Sequence, residues 1–419
     1  MRVLMLSWEY PPHVVGGLGR HVAGLSRALA AGYAEVLVVT CGGEGPDEEI
    51  RGDLGVMRVR FGEPAGLHFP EAVAQRNAGL LQGVLRKLSS GWRPDVVHAH
   101  DWLTAYAARA VKHALEIPLV ATIHATEFGR NRGLHTDLQR HISDVEWWLA
   151  YEAWRVICCS EAMRSELQSV FQLPADKIRV IPNGVDLPQE GGDPGRVAAL
   201  RRRFAADGEP LLFFVGRLVY EKGVDLILRA LPRVLERHPR ALLVVSGTGP
   251  EEGPLRRLAG ELGVAGRVHF TGHISDEERN TLYRAADVAV FPSRYEPFGI
   301  VALEAMAHGL PVVAARTGGF AEVIDSGRTG LLFEPENPWD LAERLDVALS
   351  DRGLRAGLAA QARRLVEAEY HWGQVAERTA QVYRELLGAR AGRNLGFHHS
   401  PFGGAGKQEP ARSGYGFYR

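Results

Sequence analysis

Short runs of aliphatic and β-branched residues alternate along this chain with longer stretches whose apolar positions recur every three or four residues. The short runs predict strands at Val3–Leu6, Glu35–Thr40, Val56–Val59, Val96–His98, Leu119–Ile123, Val156–Cys159 and Arg179–Ile181. The longer stretches predict helices between several of them, for example His21–Ala31, Ala72–Leu88 and Thr104–Leu115. These strands are apolar on both faces, which implies a parallel sheet covered by helices on either side. At Ile181–Gly195 the segment IPNGVDLPQEGGDPG gathers Pro, Gly and Asp as a linker would. The pattern then restarts, with strands predicted at Leu211–Val215, Ala241–Ser246, Arg267–Thr271, Val288–Pro292, Pro311–Ala315 and Gly330–Phe333.

The expected architecture is therefore α/β, with two doubly wound Rossmann-like domains facing each other across a cleft. The first spans 1–186 and the second 196–370. An amphipathic helix over 371–387 is expected to pack back on the first domain. The remainder, 388–419, has no periodicity and reads as a disordered tail. Ligands of such sheets bind beyond the carboxyl ends of the strands at a topological switch point, so the chemistry should lie in those loops.

A length of 419 residues fits two domains, and 46% apolar with 24% charged residues fits a folded protein. The net charge of −1 provides no overall field for nucleic acid or anionic lipid, so any phosphate site must be a local cluster of cations. Three cysteines, Cys41, Cys158 and Cys159, form neither a disulfide framework nor a zinc-type spacing. They fit a reducing cytoplasm. The segment MRVLMLSWEYPP reads as a first strand rather than a signal peptide, and no apolar run approaches the ~20 residues of a membrane span.

Three segments carry candidate chemistry. Gly16-Gly17-Leu18-Gly19 follows the first strand and opens a helix, where bare backbone and free amides can approach an anion; the same glycines would also suit a plain tight turn. FVGRLVYEKGVD places Arg217 and Lys222 on the loop after the first strand of the second domain, and Lys222 is one of only five lysines. A guanidinium and an ammonium there suit a departing diphosphate, against the blander reading of a solvated loop. SRYEPFGIVALEAMAHGLPVVAARTGG carries Glu296 at a helix mouth and Glu304 eight residues on, so both carboxylates can address one extended ligand. The amides of Phe298, Gly299 and Ile300 at that helix start could meet a phosphate or sugar oxygen. No D-x-D occurs and no His/Cys/Asp cluster has metal-ligand spacing. The expectation is a diphosphate held by cations and helix amides, with no divalent metal and no cofactor.

Together these motifs resemble glycosyltransferase family 4, retaining enzymes of the GT-B fold, over about residues 1–387. VVHAHDW (Val96–Trp102), TIHATEFG (Thr122–Gly129) and IPNGVD (Ile181–Asp186) are similar to glycogen and starch synthases. The resemblance implies a nucleotide-sugar donor, a carbohydrate acceptor, and an acceptor-side first domain. Arg217 and Lys222 would bind the donor diphosphate, Glu296 the sugar hydroxyls and Glu304 the ribose. His124 would lie beside the transferring sugar. Gly16 and Gly17 would approach the phosphates, and Gly247, Gly249 and His273 would lie near the nucleotide. Asp101 and Asn183 would line the donor–acceptor region. Separately from the resemblance, Arg130, just after TIHATEFG, is placed to reach the cleft and would suit a phosphorylated acceptor or an α-glucan rim. One departure concerns the first loop: bacterial ADP-glucose synthases usually read K-x-G-G-L with an acidic residue soon after, whereas here Val14-Val15 precede the glycines and Arg20 follows.

The implied activity is hexosyl transfer, with glucose from ADP- or UDP-glucose going to an α-1,4-glucan. Glucose 1-phosphate, giving maltose 1-phosphate, or another sugar or lipid are the alternative acceptors. Outside this class stand a non-catalytic nucleotide-sugar sensor, a nucleotide-sugar epimerase, a pyridoxal-phosphate phosphorylase and a Rossmann oxidoreductase. The last lacks a G-x-G-x-x-G after a strand. Trp147, Tyr151 and Trp154 have the spacing of a core stripe, with a sugar platform as the alternative, and His98 reads as a packed histidine. Oligomeric state is not legible in the chain.

Overall fold

Every predicted strand forms. A computed structural model gives the structure of residues 1–394, apart from 15, 43–44, 61–65, 67 and 189–192. The first sheet contains β1 (Arg2–Ser7), β2 (Glu35–Cys41), β3 (Glu48–Arg51), β4 (Leu54–Val59), β5 (Val96–His100), β6 (Leu119–Ile123), β7 (Arg155–Cys158) and β8 (Ile178–Val180). Their order is β3-β4-β2-β1-β5-β6-β7-β8. All neighbours are parallel except β3 against β4. The sequence reading missed β3: its EEIR has no apolar alternation, and it pairs only as an exposed antiparallel edge.

The second sheet contains β9 (Leu211–Val215), β10 (Leu242–Ser246), β11 (Val268–Gly272), β12 (Val288–Phe291), β13 (Val312–Ala315) and β14 (Leu331–Phe333), ordered β11-β10-β9-β12-β13-β14 and parallel throughout. The switch points fall between β1 and β5 and between β9 and β12. Each leaves a crevice at the strands' carboxyl ends.

The segment connecting the sheets meets the returning chain: Val185 N–H donates to Tyr370 O at 2.8 Å, and Val185 bridges His371. Trp372 then fits against Gly24 and Gly184, where a Cβ would lie 2.1 and 2.7 Å from its ring. The helix Trp372–Asn394 packs on helix Gly17–Ala30, and Val375, Ala376, Ala380, Val382, Tyr383 and Leu386 join one apolar cluster with β1 and β2. This helix continues past 387, where a disordered tail was expected to begin, as far as Asn394. The rest of that predicted tail, 395–419, lies outside the described residues.

Two further expectations are corrected or settled. Trp147 and Tyr151 are not core: they are exposed, with rings 5.4 Å apart and nearly parallel, while Trp154 packs against the cluster. The buried side of helix Asp137–Glu152 is instead formed by Ile142, Val145 and Leu149, which join a second apolar cluster with Val97, Leu119 and Val156. His98 is fully buried, its Nδ1 bonded to Tyr383 Oη (2.6 Å) and its Nε2 to Thr122 Oγ1 (2.7 Å). No helix among the described residues is long and apolar enough to cross a membrane.

Candidate active site

β5 ends in His100, and the next residue, Asp101, has φ 60° and ψ 169°. That region is essentially reserved for glycine and costs a non-glycine residue about 1–3 kcal/mol. The conformation is held from both sides: Asp101 N–H donates to Thr122 O at 3.0 Å, and its Oδ1 accepts from His124 N–H at 2.7 Å. The carboxyl of Asp101 is almost fully buried and pushed up to about 6, chiefly by burial; Arg130 and the His124 amide pull the other way. His124, just beyond β6, has its pKa pushed down to about 3 by burial and by Arg130, so its ring is neutral at neutral pH.

Beside it, His21 and His100 complete a group of three imidazoles with ligand atoms within 4.8 Å of one another. The sequence reading missed this cluster because the three rings come from three separate elements: helix Gly17–Ala30, the end of β5 and the loop after β6. His21 Nδ1 meets Asn183 Oδ1 at 2.8 Å, which draws Asn183 to the first sheet's crevice. Asp101, His124, Asn183 and the Asp101-facing Arg130 are therefore brought together at one crevice, on the β5 and β6 side.

On the opposite side, the loop after β9 carries Arg217 and Lys222. Arg217 is half exposed and lies 3.3 Å from Glu221. Lys222 Nζ donates to Glu296 Oε2 at 2.7 Å, and Ser293 Oγ donates to the same oxygen at 3.1 Å. Both bonds land on one oxygen of a nearly buried carboxylate, and a carboxylate has about four lone-pair sites for further donors. The Gly247–Gly249 turn is laced to that loop, since Leu218 N–H donates to Thr248 O at 2.9 Å. Gly247 has φ 133°, and a Cβ there would lie 1.8 Å from Gly216 O, so no other residue fits. His273 follows β11, exposed, at the edge of the sheet.

Helix Ile300–Ala307 begins at Gly299 (φ 101°) with no side chain capping it, so its first amides keep their capacity for an anion. The side chain of Phe298 is buried. Glu304, one turn further in, is also nearly buried. Its Oε1 accepts from Arg20 Nη1 at 2.7 Å and its Oε2 from Tyr283 Oη at 3.0 Å, with Arg279 Nε 3.5 Å from Oε2. Tyr283 and Arg279 escaped the sequence reading: they lie four apart on helix Asp276–Ala285, the spacing of any packed helix face.

Several contacts cross the cleft besides Arg20–Glu304. A Cβ on Gly17 would lie 3.3 Å from Ile300 Cδ1. Ser160 Oγ donates to Pro297 O (2.7 Å), and Tyr295 Oη accepts from Thr126 N–H (3.2 Å) while donating to Glu166 Oε1 (2.9 Å). Glu322 accepts the first amides of helix Glu161–Phe171, from Glu161 (2.9 Å) and Ala162 (2.8 Å). The two crevices therefore face each other across one cleft, lined by imidazoles and carboxyls on one wall and by cations, carboxylates and helix amides on the other.

Two Rossmann-like sheets, parallel but for the β3 edge, facing each other across such a cleft make the GT-B fold. The profile described as Glycosyltransferase Family 4 matches residues 15–189, and that of Glycosyl transferases group 1 matches residues 198–365. A glycogen synthase of Mycobacterium tuberculosis is 39% identical over 403 residues, covering 91% of this chain and 94% of its own. A D-inositol 3-phosphate glycosyltransferase of Xylanimonas cellulosilytica is 32% identical, covering 94% and 98%. Among solved structures, a sucrose-phosphate synthase from Thermosynechococcus elongatus superposes with a TM-score of 0.78 at 26% identity, over 93% of this chain and 99% of that one. The chain belongs to glycosyltransferase family 4.

Proposed function

We propose that this glycosyltransferase moves glucose from ADP- or UDP-glucose onto the end of an α-1,4-glucan, with retention of the anomeric configuration and without a divalent metal. The observation that carries the reading is the joining of Lys222 to Glu296 at 2.7 Å beside the uncapped start of helix Ile300–Ala307. That arrangement pairs a cation and free amides, suited to a diphosphate, with a carboxylate suited to sugar hydroxyls. In this reading Arg217 and Lys222 stabilise the departing diphosphate, Glu296 accepts from the sugar's hydroxyls, and Glu304 accepts from the ribose. Gly16 and Gly17 bring bare backbone to the phosphates, and Gly247, Gly249 and His273 border the nucleotide.

Retention fits the carboxyls present. Glu296 is tied to Lys222 and Ser293, and Asp101 is bonded to His124 N–H with its proton held more tightly than usual, so neither is a free nucleophile. The acceptor oxygen would bond to the anomeric carbon on the face from which the diphosphate oxygen departs, and that oxygen would take the acceptor's proton. His124, neutral, would orient the sugar rather than donate a full charge. Closure of the cleft limits the competing transfer to water.

A second reading, with glucose 1-phosphate as acceptor and maltose 1-phosphate as product, is favoured by Arg130 beside Asp101. The relative that acts on an inositol phosphate also favours it. The test is a panel of ADP-, UDP- and GDP-sugars against glycogen, maltooligosaccharides and glucose 1-phosphate, read by nucleotide release and product size. Turnover with glucose 1-phosphate alone would select the second reading, and failure of every glucan-type acceptor would sink the first.

A further inference from the structure

We infer that Arg20 is a positioning residue for the nucleotide donor: reaching across the cleft from the first sheet's side, it sets the carboxylate of Glu304, so that the ribose site is complete only when the two halves are closed. The inference rests on the reading of Glu304 as the ribose carboxylate.

Arg20 lies in the first turn of helix Gly17–Ala30, immediately after the glycine loop, at the position where the chain departs from the usual pattern of ADP-glucose synthases. Its Nη1 donates to Glu304 Oε1 at 2.7 Å, a charge-assisted bond between residues 284 apart in sequence. The side chains are 33% and 10% exposed, so the pair is screened far less than a surface ion pair. A second contact, from Nη2 to Asp276 Oδ1 at 3.5 Å, is long and made to a largely exposed carboxylate, so Glu304 is the main partner.

Glu304 is thus divided between the two halves of the molecule. Oε1 is held from the first by Arg20, and Oε2 from the second by the Tyr283 hydroxyl. With one donor on each oxygen, lone pairs remain for two neighbouring hydroxyls such as those of a ribose. The guanidinium also compensates this nearly buried side chain for lost water, alongside Arg279, whose Nε lies 3.5 Å from Oε2. The same helical turn brings Gly17 against Ile300, the first residue of the helix that carries Glu304. Opening the cleft would separate both contacts together. Donor affinity and closure are therefore coupled through one guanidinium, which needs no contact with the reacting atoms.

The experiment compares the full-length enzyme with Arg20→Ala and Arg20→Lys. It measures KM and kcat for the preferred nucleotide-sugar, and binding of the matching nucleoside diphosphate, its 2′- and 3′-deoxy analogues, and inorganic pyrophosphate. Wild type should prefer the ribonucleotide over a deoxy analogue by about tenfold or more, because a buried group built to accept a hydroxyl is left unpaired. Arg20→Ala should raise the donor KM about tenfold, leave kcat at saturation within about threefold, and collapse the ribo/deoxy preference. Pyrophosphate, addressed by Arg217 and Lys222, should bind Arg20→Ala as it binds wild type, and Arg20→Lys should recover part of the preference.

An unchanged ribo/deoxy ratio in Arg20→Ala overturns the inference, as does an equal loss of pyrophosphate binding, which would mark a general structural role. Lack of ribo/deoxy preference in wild type would instead remove the ribose reading of Glu304 itself.

Discussion

Glu146 accepts the Glu127 N–H with both carboxylate oxygens, at 3.0 Å each, and is nearly fully buried behind the His124 segment. Its carboxyl is pushed up to about 8, mainly by burial, with the Glu127 amide and Arg130 opposing. The folded protein therefore holds this proton more tightly than the unfolded chain does. Between about pH 4.5 and 8 the native state binds more protons, and the group's contribution to stability falls as pH rises through that window. Glu146→Gln keeps an acceptor for the amide and removes the titration. Its urea midpoint should match wild type near pH 5 and exceed it near pH 8, by on the order of 1–3 kcal/mol after conversion. A gap that does not grow with pH would refute the assignment. At Lys222, replacement by Ala should lower kcat/KM at least about 100-fold in a nucleotide-release assay, run at a temperature where the variant is folded because Glu296 loses its cation. Unchanged turnover would remove Lys222 from the diphosphate site. Lys222, Glu296 and Glu304 stood out as candidates because contiguous motifs carry them. Tyr283 and Glu146 did not, since no local spacing distinguishes them from ordinary helix residues; Arg20 stood out as a departure after the glycine loop, but its partner Glu304, on another element, did not follow from that.

Elements were easier to read than their ends. The apolar runs set the strands, because burial on both faces leaves little choice of residue. Helix starts were less visible: the first was expected at His21 yet begins at Gly17, since glycines carry no apolar signal. The start of helix Ile300–Ala307 shows how tightly such an end can be determined. Gly299 has φ 101°, and a Cβ there would fall 2.4 Å from the Phe320 ring, which is fully buried. Gly299→Ala must therefore strain the backbone and displace an aromatic ring. A loss of about 2–4 kcal/mol is expected in chemical denaturation, with donor affinity reduced as the helix mouth shifts. An alanine variant of wild-type stability would show that this turn relaxes freely.

For the molecule as a whole, the two-sheet architecture followed from the restart of the strand pattern after the Pro/Gly linker, but the closeness of the two halves did not. It depends on single contacts such as Glu322 at the start of helix Glu161–Phe171. Glu322→Ala leaves those amides to water and weakens the closed arrangement. Small-angle scattering without donor should show a larger radius of gyration than wild type, and saturating nucleoside diphosphate should narrow the difference. An identical radius in both states would mean that Glu322 has no part in closure.

The helix that crosses back from the second half bears on how the protein is made. Val375, Ala376, Ala380, Tyr383 and Leu386 fill the same cluster as Val3, Val22 and Val38, and Tyr383 satisfies His98. A ribosome has therefore threaded out both sheets before the first can finish its interior. The earliest-made half must wait, with apolar surface uncovered, for nearly the last residues described here. Its vulnerable interval during synthesis spans the translation of the entire second half.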